Sequence, residues 1–104
     1  MRHSKNERME LAREFAECAK ALVIEIKEHV QVICAAAKSN PTQKNESLYQ
    51  LAIRRAQWAE QTMQEADRHA DAGRYVGVAK CCDVLRNYAM AVSFDARKVN
   101  EETK

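Results

Sequence analysis

The residues of this chain that could do chemistry are its four cysteines, three histidines and a scatter of glutamates. Glu25 and His29 stand one helical turn apart with Glu28 between them, and a carboxylate and an imidazole so placed could share a metal ion. A di-iron carboxylate site in a helical bundle needs more: glutamate and histidine three positions apart, repeated on paired helices, with further inward glutamates. That repeat is missing, so His29 reads as a seam histidine bonded to a backbone or carboxylate partner. Cys81 and Cys82 are adjacent. On a helix their side chains diverge by about 100°, so one of them faces a core and the pair does not readily close a strain-free disulfide. If three helices run up, down and up, Cys18 comes level with Cys82, and Cys18, Cys81, Cys82 and His69 are the best soft-metal or thiol site the chain could build. No zinc-type cysteine spacing is present, and buried cysteines are ordinary core residues, so neither metal nor cofactor is expected. Cys34, near the end of the first helix, reads as the most exposed thiol.

Other chemistries find fewer residues still. Serines are few, no glycine-rich loop could cradle a phosphate, and no nucleophile and base stand on loops where a cleft could form, which argues against an enzyme. For nucleic acid the candidates are Arg2, His3, Lys5 and Arg8, with Arg54 and Arg55 further on. Neighbouring acids dilute both groups, and a formal charge of +2 is too mild to hold a polyanion by field strength alone. No apolar run approaches the roughly 18–20 residues that cross a bilayer, and the basic start is followed by no apolar stretch of a signal peptide. The cysteines are therefore expected as free thiols in the cytoplasm.

The elements that must position these side chains are helices. Two glycines and one proline leave little material for turns, while alanine, glutamate, lysine, arginine and glutamine favour helix. Ser4 and Glu7 form a capping box that opens a first helix over about 5–38. Its apolar seam runs through Ala12, Phe15, Ala19, Leu22, Ile26 and Ile33, interrupted by His29. Asn40 and Pro41 break it, with Asn40 expected to cap a second helix over about 41–72, whose alanine-rich seam would let a neighbour approach closely. Gly73 can take the left-handed conformation that ends a helix and opens a tight hairpin into a third, over about 74–100. Gly73, Arg74 and Tyr75 with Ala79 are similar to the turn inside a tetratricopeptide helix pair, but nothing comparable recurs about 34 residues earlier. The expected fold is an all-α antiparallel three-helix bundle, one domain over 1–104.

The third helix carries more apolar surface than one face requires. Its main seam is Tyr75, Val78, Cys82, Leu85, Ala89, Val92, Ala96 and Val99. A second apolar set, Cys81, Val84, Tyr88, Ala91 and Phe94, lies to other sides and either widens the core or forms an interface. That surplus, with the missing catalytic signals, points to a non-enzymatic interaction module: an adaptor, regulator or stoichiometric inhibitor of a larger protein assembly, pairing as a homodimer. The alternatives are a helical nucleic-acid-associated regulator using the basic N-terminal segment and, more distantly, a cysteine metal or thiol site.

Overall fold

A computed structural model describes residues 4–101 and has three helices: α1 (Lys5–Ser39), α2 (Gln43–Asp71) and α3 (Tyr75–Glu101). No strand occurs among the described residues, and every helix packs against the other two. This is the all-α three-helix bundle that the periodicity predicts, with boundaries within two residues of expectation. Two short turns make successive helices reverse. The rod they form measures 55 × 20 × 15 Å.

Each helix begins and ends for an identifiable reason. Ser4 caps α1, its hydroxyl oxygen accepting from the Glu7 amide at 3.2 Å and donating to the Glu7 carboxylate at 3.1 Å. The Glu7 carboxylate lies in the first turn, at the positive end of the helix. Asn40 does not cap α2, contrary to expectation. It is the C-cap of α1, with its amide bonded to Ala36 O at 2.8 Å, and Thr42 caps α2 by accepting from Asn45 N at 3.1 Å. The reason is positional: Thr42 stands three residues before the amide it must reach, whereas Asn40 lies too far back. Gly73 adopts φ 71° as expected, and the Gly73 and Arg74 amides close the end of α2 on Ala70 O and His69 O.

The core is a row of interlocking small and large side chains. Ile26, Leu85, Val78 and Val92 are fully buried against Ala12, Ala19, Ala59 and Ala66, so the alanines of α2 bring the helices close and the branched residues of α1 and α3 fill the gap. A smaller group, Ile33, Ala52, Ala96 and Val99, closes the end near Pro41. Two features there escape the apolar pattern. Asn45 is completely buried, its Nδ2 donating to Asn40 O at 2.9 Å, while its Oδ1 has no hydrogen-bond partner among the described residues. Asp95 is buried too, and Arg55 of α2 reaches it at 2.7 Å.

Candidate functional site

The second apolar set of α3 does not form one surface. Going around the helix, Cys81, Val84, Tyr88, Ala91 and Asp95 follow spacings of three and four and so make a stripe of their own, turned toward α2. Cys81 is buried in the core, and Tyr88 packs on the core from the side, with its ring 6.2 Å from that of Trp58 on α2. Ala91 is half-buried and Val84 is exposed at the rim. Part of the surplus therefore widens the core. Asp95 ends the same stripe, where a lone acid on an apolar line calls for a cation, and Arg55 supplies it.

Phe94 belongs elsewhere. It stands on the flank of α3 that adjoins α1, 55% exposed, beside Met90, which is 66% exposed. These two side chains border a groove of about 680 Å³ between the helices, whose other walls include Leu22, Glu25, Arg86 and Arg97. Lys98 places its ammonium 4.6 Å from the centre of the Phe94 ring, a cation–π contact that leaves the other ring face to solvent. The lining of the groove is mostly apolar and includes an acid on α1 and two arginines on α3. The sequence pattern places both Met90 and Phe94 outside the main seam of α3, but assigns only Phe94 to the candidate interaction face.

The thiols divide between the two sides of α3. Cys82 faces α1, its Sγ donating to Phe15 O at 3.2 Å, and burial followed by the nearby Cys18 pushes its pKa up. Cys81 faces α2, where burial and then Glu65 push it up in the same direction. Both are buried, correcting the expectation that only one of two adjacent cysteines would be: α3 is covered by a helix on either flank, so 100° of divergence still leaves both side chains under cover. His69 lines the α2 side with Cys81 and Glu65 and is turned to Arg74, whose Nε donates to its Nδ1 at 2.9 Å. The conceivable but unfavoured grouping of Cys18, Cys81, Cys82 and His69 is thus split by the body of α3, and no group of three or more His, Cys, Asp or Glu able to hold a metal occurs among the described residues. Cys18, not Cys34, is the exposed thiol. Cys34 falls four residues after Val30 and three before Ala37, on a line that faces α2, where it lies against Tyr49 and its charge is the largest cause raising the Tyr49 pKa.

The remaining candidates are quickly placed. His29 approaches Glu25 at 3.9 Å, one turn back on α1, and is half-buried as a seam histidine should be. Arg54 is exposed, whereas Arg55 is occupied by Asp95. Arg2 and His3 lie outside the described residues. No helix among the described residues is long and apolar enough to cross a membrane. The fold defines a helical bundle and nothing narrower: no family model, curated protein or solved structure matches the chain.

Proposed function

We propose that this protein is a non-enzymatic protein-interaction module, an adaptor, regulator or stoichiometric inhibitor of a larger assembly, and that it pairs with a second copy through the α1–α3 groove. The observation that supports this reading is the exposure of Met90 and Phe94 side by side at the mouth of that groove. Large flexible and aromatic side chains of this kind are enriched where protein surfaces meet and are disfavoured where they meet only water. The rim suits a two-fold pairing, since Glu25 of one copy can face Arg97 of the other, and the reciprocal contact follows by symmetry. Free thiols at all four cysteines fit a reducing compartment such as the cytoplasm.

Replacing Met90 and Phe94 together by glutamate tests the reading. Both side chains are exposed, so the variant stays helical and melts cooperatively, while sedimentation shows loss of the dimer that the wild type forms, because unpaired charges buried in an interface cost several kcal/mol. A wild type that sediments as a monomer at every concentration rejects the homodimer, and an unchanged dimer in the variant rejects this groove. Val84 and Tyr88 are the less suitable pair, because Tyr88 packs on the core and its replacement by glutamate reads folding as well as association. The nucleic-acid alternative has thinner support: Lys5 and Arg8 are exposed, but Arg55 is spent on Asp95.

A further inference from the structure

The far end of the rod holds a second hollow, and it differs from the α1–α3 groove in charge. It has a volume of about 510 Å³ and lies where the start of α1 meets the α2–α3 turn. Lys5 and Arg8 approach from α1, Arg74 from the turn and His69 from the end of α2. Among the described residues no carboxylate lines it. Lys5 and Arg8 have no side-chain ion pair or hydrogen bond among the described residues, whereas other cations are taken up by Glu17, Glu60, Asp83 and Asp95. Among the described residues the Arg74 side chain is engaged through Nε alone, which donates to His69 Nδ1 at 2.9 Å, so the outer edge of its guanidinium keeps its N–H groups.

The seat of these groups is shaped by the chain's two glycines. A Cβ at Gly77 would meet the His69 ring at 2.5 Å, and one at Gly73 would meet Met9 Sδ at 2.7 Å, so both side chains reach their places only because glycine stands opposite. His69 in turn aligns Arg74 through the Nε bond. Met9, Tyr75 and Val76 make the rest of the wall apolar. The first intrahelical bond of α3 goes to Arg74 O, from the Val78 amide at 3.2 Å. Arg74 has no side-chain oxygen to cap the first amides of α3, and Val76 and Gly77 are among the residues that line the hollow.

We propose that this hollow binds a phosphomonoester dianion, its phosphate held by Arg8, Arg74 and Lys5 and its organic group laid along Met9, Tyr75 and Val76. Two guanidiniums offer the forked donors that match a tetrahedral oxyanion, and the imbalance of charge in the lining calls for a ligand carrying more than one negative charge. The hollow is larger than a bare phosphate requires, and its apolar wall would be left unused by one. A nucleic-acid backbone offers only one negative charge per phosphate and would have to thread the hollow, so a terminal phosphate fits it better. The site is at a different end of α3 from Met90 and Phe94, so it stands or falls independently of the proposed pairing.

Titration of the full chain with phenyl phosphate, followed by backbone amide resonances, tests the assignment, with inorganic phosphate and a short oligonucleotide lacking terminal phosphates as parallel arms. The expected result is saturable shifts centred on Arg74, Val76 and Gly77, with phenyl phosphate tighter than inorganic phosphate. Arg8→Ala and Arg74→Ala should each weaken binding by about tenfold or more, the scale of one charge-assisted hydrogen bond. Both residues are exposed, and an unchanged melting temperature confirms that the loss is local; Lys5→Gln gives a second, milder reduction. Arg54→Ala, on the middle of α2, should leave binding unchanged. Non-saturating shifts, an equal loss in Arg54→Ala, or tighter binding of the oligonucleotide than of phenyl phosphate would each overturn the proposal.

Discussion

At the Pro41 end of the bundle Thr42 and Asn45 close the start of α2 with their own atoms, whereas at the Gly73 end the residue before α3 is Arg74, which brings a cation where an oxygen would serve. Acidic residues separate the helix starts, not the ends as wholes: Glu46 lies in the first turn of α2 at the Pro41 end and Glu7 in the first turn of α1 at the Gly73 end, and none lies in the first turn of α3. A helix start is positive and presents free amides, so a side-chain oxygen or a carboxylate normally answers it. The start of α2 is answered by its own side chains, whereas the start of α3 gathers further positive charge from Arg74, Lys5 and Arg8. Equally short turns can thus either close a helix start with their own side chains or leave a cationic hollow beside it, and the neighbours of the turn, not its length, decide which.

The largest expected effect concerns what joins the two ends. Leu85 is 0% exposed in the main core, so Leu85→Ala should lower stability by about 2–5 kcal/mol in chemical denaturation, from lost transfer energy and the cavity left behind. A loss under about 0.5 kcal/mol would mean that the seam of α3 does not carry the core.

Smaller effects separate the ends themselves. Thr42→Ala removes the oxygen that caps α2 and should cost about 1 kcal/mol. Gly73→Ala should cost more than about 1 kcal/mol, because the new methyl must accept φ 71° and displace Met9. If Gly73→Ala proved neutral, the Gly73 end would be more pliable than the packing of Met9 against it implies.

A double-mutant cycle isolates the seat of His69. Alanine suits a helix better than glycine, so in a His69→Ala background Gly77→Ala should stabilise by roughly 0.5–1 kcal/mol. In the wild type the same change should gain distinctly less or turn unfavourable, because the methyl meets the imidazole ring. Equal effects in both backgrounds would show that the ring does not depend on that glycine.

The thiols give the least energetic test. Maleimide labelling should reach Cys18 first, then Cys34, and Cys81 and Cys82 last. Burial holds the last two above their unfolded value of roughly 8.5, so the stability they contribute is present below that pH and is lost as pH rises through their folded values. Between neutral and strongly alkaline pH the wild type should therefore lose more stability than Cys81→Ala/Cys82→Ala, measured as the shift in urea midpoint. A steeper loss in the variant would reverse the sign and exclude burial as the cause.

Much of this architecture was legible in the chain because helices are local objects. The seams through Ile26 and Leu85, the break at Pro41 and the left-handed Gly73 follow from spacing and backbone stereochemistry, which depend on residues within a turn or two. The α2 cap was misplaced from Thr42 to Asn40 by two residues, since both types can cap and only the amide they reach tells them apart. The charge pattern of the Gly73 end was only half visible: Lys5 and Arg8 could be read as a basic start, but His69 and Arg74 lie more than sixty residues away in sequence and join them only through the hairpin.

What the sequence by itself determined is therefore which residues form each helix and which stripe of each is dry, because 3.6-residue periodicity and the rarity of glycine and proline leave few other structures open. Only the tertiary structure decided how the stripes at the edges are shared: that Cys81 and Tyr88 join the core while Phe94 and Met90 face water, that Asp95 takes Arg55, and that Cys18 is open where Cys34 is covered. The physical reason is that a residue's angle around its helix is fixed locally, but whether another helix stands at that angle is fixed by packing among all three.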